Sequence, residues 1–472
     1  MRHVAVVGGG FVGLSSALHL LRRGHRVTVI EAARVGGPQQ ASYGNAGCIA
    51  NYAVFPVNDP SLPFRLPAMI SRPHSSPFAF ARSFLHLAQW ATRPATLRWL
   101  ALFLAHCTPA AVERSSRGLA ALLAYADAGW ATPLHALSAE ERGWAIHGER
   151  AAPAASRLPR GCLYLFGSQE AAGADAEARR ALGVACEAIA PSRVLELEPA
   201  LAESRATIAA AVHFKEAWHL ASPSALAGAL AASVRRSAHG ALVDGTRVTS
   251  IRRAGGCVAL EVQPAGAAGE GARATIEFDE VVVAGGAWSA PLASTAGDHL
   301  ALDTERGYHV TFHQPGGHAT TPLLSRPVGC ATLGFYMTPM ARMLGAREGE
   351  EQPQRVLRVA GTVELGGTEA PSSPARLDLL ERSAVELLPT LGRGEAGGWQ
   401  RDASGDWLGF RPTTPDALPL LGRSAQIPQV IYAVGHQHLG LTLAGITGQL
   451  VADIVDGGQP SIDIAPFRPD RF

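Results

Sequence analysis

Charge of either sign is not in excess in this chain of 472 residues, which has 41 Lys and Arg against 40 Asp and Glu. The sequence also has no strongly basic run. Binding to nucleic acid requires clustered positive charge that neutralises phosphates. The composition therefore predicts no nucleic-acid partner.

Paired cysteines are also lacking. The chain has six cysteines, none of which forms a C-x-x-C motif or lies at zinc-finger spacing from a histidine. Those spacings are the sequence signature of structural zinc and of redox-active pairs. We therefore predict no metal site, and we expect reduced, mostly buried thiols in a cytosolic protein.

Long apolar runs are missing as well. No segment reaches the roughly 18 uninterrupted apolar residues that a transmembrane helix needs. The first residues imitate a signal peptide, but three glycines interrupt the apolar run and no cleavage site follows. We expect a cytoplasmic protein in which residues 99–107 form a buried helix. The alternative for this stretch is a peripheral contact with the inner face of the membrane.

The sequence does contain enough apolar material for a large core, with 47% hydrophobic residues. Its 51 glycines and 32 prolines are typical of a protein with many tight turns. The length allows two or three domain-sized units or one interleaved two-domain enzyme.

The first motif covers residues 3–32, "HVAVVGGGFVGLSSALHLLRRGHRVTVIEA". A short β-branched run precedes Gly8, Gly10 and Gly13, which form G-x-G-x-x-G, and an amphipathic helix follows. A second strand then ends at Glu31. Strand, glycine turn, helix, strand and acid together are typical of a dinucleotide-binding unit, whereas the glycine pattern alone is weak evidence.

The chemistry of dinucleotides explains this spacing. Gly8 permits the tight turn, Gly10 lets the backbone approach a pyrophosphate, and Gly13 lets helix and strand pack closely. The helix N-terminus supplies N–H donors for the phosphates. Glu31 can accept hydrogen bonds from ribose hydroxyls and would repel a 2′-phosphate, which disfavours NADP. The alternative is a glycine-rich turn in an unrelated α/β unit, and the motif does not separate FAD from NAD.

Two later segments repeat the strand-to-glycine pattern. The buried strand at 281–284 runs into Gly285 and Gly286, and the strand before Gly435 leads into a long C-terminal helix. Residues 41–50, "ASYGNAGCIA", form a small-residue loop suited to close contact with a ligand, although such a loop is also common on surfaces. Alternating residues between 306 and 365 predict an antiparallel sheet, and residues 170–188 and 222–240 predict helices.

A lone arginine occurs in "GFRPTTPDALPLLG" at 409–422. Pro412 fixes the backbone directly after Arg411, which suits an arginine that presents its planar guanidinium to a ligand. The alternative is a loop arginine paired with Asp416.

Taken in order, these motifs resemble the FAD-dependent D-amino-acid oxidase superfamily, which includes glycine oxidase, sarcosine oxidase and D-amino-acid dehydrogenase. The resemblance rests on residues 3–32, 281–289, 409–422 and 432–454, and it spans nearly the whole chain. The loop at 42–50 and the segment "RGYHVTF" look most like the bacterial D-amino-acid dehydrogenase branch.

The resemblance implies an α/β fold, α+β overall. A Rossmann-like FAD-binding domain would be assembled from residues 1–58, 218–298 and 405–472. A discontinuous antiparallel-sheet substrate domain would comprise residues 59–217 and 299–404. The FAD contacts implied by the motifs are Gly8, Gly10, Phe11, Val12, Gly13, Glu31, Asn45, Ala46, Gly47, Val248, Gly285, Gly286, Trp288, Gly435, Leu439, Gly440, Leu441 and Thr442.

The resemblance also implies the substrate-binding residues. Arg411 would bind the substrate carboxylate through two hydrogen bonds. Tyr336 is our choice for the substrate-facing tyrosine, with Tyr308 second. His436 and His438 stand where relatives often carry small residues, and they would hold a proton, bond a substrate hydroxyl, or only pack. The cysteine that attaches flavin covalently in sarcosine oxidases is not recognisable, so we expect non-covalent FAD.

The expected reaction is oxidative deamination of a D-amino acid, or of a secondary-amine amino acid such as a hydroxylated D-proline, by hydride transfer to the flavin. The electron acceptor would be a quinone, another carrier or oxygen. Three alternatives remain at this level: an oxygen-using glycine/sarcosine-type amine oxidase, a flavin-dependent RNA-modifying module, and an FAD-binding protein without turnover.

Overall fold

The computed structural model describes residues 1–64, 78–80, 94–148, 160–266, 273–314, 322–344, 352–365, 367–393 and 398–472. The α-helices in these ranges are α1 (Phe11–Arg22), α2 (Pro94–Ala105), α3 (Pro109–Leu123), α4 (Ala126–His135), α5 (Ala139–Arg142), α6 (Gln169–Ala181), α7 (Pro191–Leu197), α8 (Pro223–Arg236), α9 (Ser289–Thr295), α10 (Pro374–Leu387) and α11 (Gly440–Asp456).

The strands in the same ranges are β1 (His3–Val7), β2 (Arg26–Ile30), β3 (Cys48–Ile49), β4 (Phe78–Phe80), β5 (Arg160–Phe166), β6 (Glu187–Ile189), β7 (Ala210–His219), β8 (Gly240–Val243), β9 (Thr246–Ala254), β10 (Cys257–Pro264), β11 (Ala274–Phe278), β12 (Glu280–Val283), β13 (Asp303–His313), β14 (Val328–Cys330), β15 (Phe335–Leu344), β16 (Gln352–Leu365), β17 (Gln400–Arg401), β18 (Trp407–Thr413), β19 (Leu420–Arg423) and β20 (Val430–Val434).

A six-stranded sheet forms the first half of the fold, in the order β19-β20-β12-β1-β2-β8. β1 pairs in parallel with β12 and β2, and only β19 runs antiparallel to its neighbour β20. The strands at its centre are short and β-branched, and Val4, Val6 and Val282 have no exposed surface. Helices α1, α8 and α11 cover one face of this sheet, and strands β9, β10 and β11 cover the other, which is why its central strands are apolar throughout.

The second half is an 11-stranded sheet whose main path is β17-β13-β16-β15-β14-β5-β7-β3, with β18 beside β13, β4 beside β16 and β6 beside β7. β13, β15 and β16 are antiparallel, as the alternation between residues 306 and 365 predicts. The three strands β11-β10-β9 form a separate small sheet. The predicted mixed α/β fold with an antiparallel-sheet half is confirmed.

The segment boundaries stay a prediction. The three segments proposed for FAD binding contribute every strand of the six-stranded sheet. They also contribute β3, β18 and part of β7, which pair within the larger sheet. The chain therefore passes between the two sheets inside these segments, and β18 ends only seven residues before β19 begins.

Two helix predictions had different outcomes. The helix expected from Ser222 is α8, and Ser222 Oγ accepts a hydrogen bond from the N–H of Ala225 at 3.3 Å. The helix expected over residues 170–188 is wrong in its second part: α6 ends at Ala181, and β6 begins at Glu187. Gly183 has a φ of +83°, a left-handed conformation that breaks the helix.

Residues 99–107 lie mostly in α2, but the predicted buried helix is buried on one side only, because Ala101 and Ala105 are exposed. Trp99 and Phe103 are 3% and 4% exposed, and the Trp99 indole N–H donates to the carbonyl of Thr413 at 2.9 Å. Among the described residues, the segment Gln437–Asp456 is apolar and long enough to cross a membrane, but 83% of its apolar window is buried inside the fold.

Glycines let two helices, α4 and α1, approach α11 closely. A Cβ at Gly445 would lie 2.4 Å from the carbonyl carbon of Gly129 on α4, and one at Gly448 would lie 2.7 Å from Ser15 on α1. By contrast, a Cβ at Gly173 on α6 would meet no atom within 4 Å. The same substitution is therefore expected to have opposite effects at the two helices.

We predict that Gly445→Ala lowers the free energy of unfolding by about 1–3 kcal/mol, because the added methyl overpacks the contact between α11 and α4. The matched control, Gly173→Ala, is expected to raise it by about 0.5–1 kcal/mol, because alanine restricts the unfolded chain and favours the helix. Chemical denaturation measures both. Equal midpoints for the two variants would contradict the close helix contact.

Candidate active site

One large cavity, of about 1460 Å³, lies where the two sheets meet. The carboxyl ends of the parallel strands β1, β2 and β12 form one wall, and residues of β13, β15, β16 and β18 form the other. Ligands of open α/β sheets bind at this end of the strands. The volume exceeds the roughly 1,000 Å³ of an ordinary small-molecule pocket, so it can hold a large ligand together with a small one.

The first glycine turn has the geometry that a bound pyrophosphate requires. Gly8 has a φ of +112°, and a Cβ there would lie 2.4 Å from the carbonyl oxygen of Ala284. A Cβ at Gly13 would lie 1.9 Å from the carbonyl oxygen of Gly8, so α1 packs tightly on the strand end. At Gly10 a Cβ would meet only Ser42 Oγ, at 3.2 Å. The space above Gly10 therefore opens to the cavity.

Glu31 stands at the end of β2 and lines the cavity. Its carboxylate accepts hydrogen bonds from the N–H groups of Gly9 at 2.6 Å and Ala33 at 2.8 Å. These two donors fix the carboxylate beside the glycine turn. The remaining acceptor positions suit the hydroxyls of a ribose, as the sequence predicted.

The small-residue loop at 41–50 is anchored by hydrogen bonds to side chains of the 11-stranded sheet. Arg358 donates to the carbonyl of Asn45 at 2.9 Å, and a ring nitrogen of His309 lies 2.8 Å from the carbonyl oxygen of Gly44. Within the loop, the Asn45 side chain donates to the carbonyl of Ser42 and accepts from the N–H of Gly47. These contacts keep Asn45 and Ala46 at the cavity wall.

Most of the predicted FAD contacts line this cavity. Gly13, Gly47, Gly435 and Thr442 are not among its lining residues in the described part of the chain. The cavity-lining members of the predicted set are Gly8, Gly10, Phe11, Val12, Glu31, Asn45, Ala46, Val248, Gly285, Gly286, Trp288, Leu439, Gly440 and Leu441.

The four predicted residues that do not line the cavity support those that do. Gly47 and Gly435 have φ values of +68° and +81°, which other residues rarely adopt. Thr442 accepts a hydrogen bond from the N–H of Ala50 at 3.0 Å and so ties α11 to the small-residue loop. The structure gives these residues a supporting position, and their direct contact with FAD stays a prediction.

Arg411 lies on β18 directly opposite Glu305 of β13. Its Nη1 donates to the carbonyl of Thr362 at 2.9 Å, and its guanidinium lies over Gly307, where a Cβ would be 2.1 Å from Nη2. The alternative pairing with Asp416 is wrong, because both carboxylate oxygens of Asp416 accept hydrogen bonds from Arg471 instead. Arg411 lines the cavity and retains donors for a ligand there.

The partner of Arg411 has an unusual backbone. Thr362 has a φ of 60° in the middle of β16, which is rare for a β-branched residue. The register of β16 against β13 shifts at the same place, between Arg306 and Tyr308. This bulge directs the Thr362 carbonyl towards the guanidinium of Arg411. Backbone strain of this kind is concentrated at functional sites.

Tyr336 lies on β15 and also lines the cavity. Its ring stacks on Tyr164 with 5.7 Å between ring centroids, and Gly329 lies beneath both rings. Burial raises the pKa of the Tyr336 hydroxyl well above its usual value. The hydroxyl of Tyr308, our second choice, donates to Glu364 at 2.5 Å. The Tyr336 hydroxyl is itself hydrogen-bonded to Tyr52, so its contact with a substrate stays a prediction.

The two histidines of the C-terminal turn differ in environment. His436 is 4% exposed, its Nε2 lies 3.0 Å from Thr447 Oγ1, and burial lowers its pKa to about 4. The side chain of His438 is exposed to the cavity. The pKa of His438 is lowered because the surrounding protein desolvates the imidazole and because the positive charge of Arg411 is near. Both imidazoles are neutral at neutral pH.

Several cavity residues carried no motif in the sequence. Glu305 lines the cavity beside Arg411, and it is only 2% exposed. Tyr52, Tyr164 and Arg179 line the far end, where Arg179 pairs with Asp175 at 2.7 Å. Glu305 and Tyr164 reach the cavity through strand register, Arg179 through the packing of α6 and Tyr52 through the turn after β3, so local sequence offered no signal for them.

The geometry of the first glycine turn, Glu31 and the small-residue loop fits FAD. The model of the family described as FAD dependent oxidoreductase matches residues 3–454. The chain belongs to this family. The resemblance drawn from the motifs is thereby confirmed, and FAD is its cofactor.

Two relatives resemble the whole chain. A D-amino-acid oxidase of Bradyrhizobium diazoefficiens is 33% identical over 100% of this chain and 99% of its own length. A D-amino acid dehydrogenase 2 of Pseudomonas aeruginosa is 30% identical over 99% of this chain and 98% of its own length.

Solved structures support the same fold. Glycine oxidase from Geobacillus kaustophilus superposes with a TM-score of 0.65 at 24% identity, covering 100% of both chains. L-proline dehydrogenase from P. horikoshii also gives a TM-score of 0.65, at 19% identity over 100% of this chain and 97% of its own. At these identities the likeness concerns the fold alone.

Two features of the described residues bear on a metal site and on a cysteine that could bind flavin covalently. Within the described ranges, no cluster of three or more His, Cys, Asp or Glu side chains is arranged to hold a metal ion. Cys48 lines the cavity, but its sulfur lies 3.7 Å from the Tyr52 hydroxyl, on the tyrosine-lined side rather than beside the glycine turn.

We predict that acid precipitation of the holoprotein releases all the yellow colour into the supernatant, because FAD is held by hydrogen bonds and packing and not by a bond to sulfur. Absorbance at the flavin band of supernatant and pellet measures this. Colour that stays with the pellet would show a covalent attachment and contradict the prediction.

We predict that Gly10→Val abolishes FAD loading while the chain still folds, because the side chain would enter the open space above the turn and not the protein core. The matched control is Gly228→Val on α8, where a Cβ meets no atom within 4 Å. Flavin absorbance per protein and circular dichroism measure the two effects. A fully loaded Gly10→Val protein would refute the pyrophosphate position.

Proposed function

We propose that the chain catalyses FAD-dependent oxidative deamination of a D-amino acid. The two full-length relatives, a D-amino-acid oxidase and a D-amino acid dehydrogenase, support the substrate class. The observation that carries the proposal is the position of Arg411, whose guanidinium faces the cavity from the wall opposite the glycine turn and Glu31.

Arg411 is the residue that binds the substrate carboxylate. Its Nη1 is held by the Thr362 carbonyl, so one side of the planar guanidinium is fixed and the other faces the cavity. A guanidinium binds a carboxylate through two parallel hydrogen bonds. Because Gly307 lies directly beneath it, the guanidinium packs flat against the sheet and its direction is determined.

Tyr336 and His438 complete the substrate side of the cavity. The Tyr336 hydroxyl stays protonated, because burial raises its pKa, and it can donate a hydrogen bond to the substrate carboxylate. His438 is neutral and faces the cavity, so it can bond the substrate amine or a substrate hydroxyl. His436 positions the turn through Thr447, and we retain no proton-transfer role for it.

Orientation is the main contribution of the protein to the reaction. The Cα–H bond breaks with its electron pair and the amine loses a proton, which leaves an imine that water hydrolyses to a 2-oxo acid and ammonia. Bound FAD supplies the acceptor for the hydride. Arg411 and Tyr336 hold the carboxylate so that one face of Cα is turned towards the other half of the cavity.

Secondary-amine amino acids such as a hydroxylated D-proline belong to the same proposal. A cyclic amine has the same Cα–H and carboxylate, and His438 is the cavity-facing residue suited to its hydroxyl. Equal turnover of D-alanine and cis-4-hydroxy-D-proline would remove the reason for assigning a hydroxyl-binding role to His438.

The electron acceptor and the location complete the proposal. We propose a quinone or another carrier as acceptor, with oxygen as the second candidate because the Bradyrhizobium relative is named an oxidase. We further propose a cytoplasmic protein with peripheral contact to the inner face of the membrane. The exposed side chains of Phe64, 85% exposed, and Leu97, 46% exposed, support that contact.

An anaerobic titration of the holoprotein with a panel of D-amino acids and their L-enantiomers tests the function. We expect D-enantiomers to bleach the flavin band, and reoxidation by oxygen or by a soluble quinone then identifies the acceptor. Failure of every D-amino acid, with bleaching by glycine or sarcosine, would replace the proposal by the amine-oxidase alternative.

We predict that Arg411→Lys lowers kcat/KM for D-amino acids by about tenfold to a hundredfold, because a charged hydrogen bond contributes roughly 1.5–3 kcal/mol. Lysine keeps the charge but loses the bidentate geometry. FAD content should not change. The matched control is Arg253→Lys, an exposed arginine whose Nη2 donates to the carbonyl of Gln426. Unchanged kcat/KM in Arg411→Lys would show a structural arginine.

A further inference from the structure

A second charged side chain lies beside the proposed carboxylate site. Glu305 faces Arg411 across the β13–β18 pair, and it is 2% exposed. Its Oε2 atom is buried and has no hydrogen-bond partner among the described residues. Burial of a carboxylate without full hydrogen bonding costs free energy of folding, unless a nearby charge compensates it or the carboxylate is protonated.

Arg411 is the charge that compensates Glu305. On β18, the neighbours of Glu305 are Arg411 and Thr413. The Thr413 hydroxyl donates to the carbonyl of Arg411 at 3.3 Å, and its nearness to Glu305 also favours the ionised carboxylate. On β16, its register partner is the apolar Leu365. Arg306 and Glu364 form their own ion pair at 3.3 Å. The nearby titratable groups of the C-terminal turn are His436, which forms a backbone bridge with Thr413, and His438, which interacts with Arg411. Burial keeps both imidazoles neutral at neutral pH.

Burial raises the pKa of Glu305 to about 7, while Arg411 and the Thr413 hydroxyl oppose that rise. Glu305 therefore gains or loses its proton in the neutral range. A ligand carboxylate bound to Arg411 would neutralise the positive charge that stabilises the ionised form of Glu305. Two carboxylates beside one guanidinium disfavour double ionisation, so the ligand would drive Glu305 towards its protonated form.

We propose that Glu305 is a specificity-determining residue that links binding of a simple carboxylate at Arg411 to uptake of one proton. The proposal rests on the proposed role of Arg411. An amino acid carries its own ammonium group, and that positive charge balances the ionised Glu305. Binding of an amino acid therefore requires no proton uptake by Glu305. Above neutral pH the site therefore prefers the amino acid to carboxylates without an amine, including its own 2-oxo acid product.

The expected pH dependence follows from the ionisation of Glu305. Below about pH 7 Glu305 already holds its proton in the free protein, and a simple carboxylate binds with a constant Kd. Above about pH 7 a proton must be taken up, and Kd rises by up to tenfold per pH unit. The affinity for simple carboxylates is thus present at low pH and is lost as the pH rises.

The test uses the holoprotein and propionate, the carboxylate that remains when the amine of alanine is removed. Calorimetric titration in phosphate and in Tris, two buffers of different ionisation enthalpy, measures proton uptake. We expect more than half a proton per propionate near about pH 8 and almost none near about pH 6.

Three variants separate the linkage from a structural effect. Glu305→Gln is expected to abolish proton uptake and to make Kd independent of pH. Thr413→Val removes the nearby hydroxyl that favours the ionised carboxylate, and should shift the break in the Kd profile to higher pH. The matched control Glu277→Gln, at an exposed position on β11, should behave like the native protein.

Two outcomes overturn the proposal: propionate binding without proton uptake in the native protein, or unchanged uptake in Glu305→Gln. If Glu305→Gln does not fold, an unshifted break in Thr413→Val overturns it. Arg411→Lys separates this failure from that of the function. If Arg411→Lys weakens propionate binding but the native protein takes up no proton, only the role of Glu305 is refuted. If Arg411→Lys leaves propionate binding unchanged, the carboxylate site itself is refuted.

Discussion

The antiparallel pairing of β18 with β13 is the constraint on which the rest of the site depends. It joins residues more than a hundred positions apart in the chain and sets Arg411 opposite Glu305. The same strand leads within seven residues into β19 of the parallel sheet. A change in this register by one residue would turn Arg411 to the other face of the sheet, because side chains alternate.

Local irregularity gives Arg411 its direction. The absence of a side chain at Gly307 makes room for the guanidinium, and the left-handed backbone at Thr362 aims a carbonyl at it. Both features disturb an otherwise regular sheet, at a cost in stability. They are compensated by the extensive core beneath β13 and β16, in which Val310 and Val359 have no exposed surface.

The dinucleotide half of the cavity depends instead on close backbone approach. At Gly8 and Gly13 the room for a side chain is already taken by backbone oxygens, whereas at Gly10 it opens to the cavity. This distinction explains why one glycine is available to a ligand and the other two serve the fold. Arg358 and the small-residue loop then connect this half to the sheet that carries Arg411.

The sequence by itself determined the FAD motif, the strand-to-glycine turns and Arg411. Each consists of residues close together in the chain, and the chemistry of the ligand explains their spacing. The error at residues 170–188 arose because a polar, alanine-rich pattern does not reveal where Gly183 ends a helix. Only the tertiary structure decided that Asp416 belongs to Arg471, that His438 and not His436 is open to the cavity, and that Glu305 stands beside Arg411. Strand register and burial are properties of the whole fold, so no local pattern contains them.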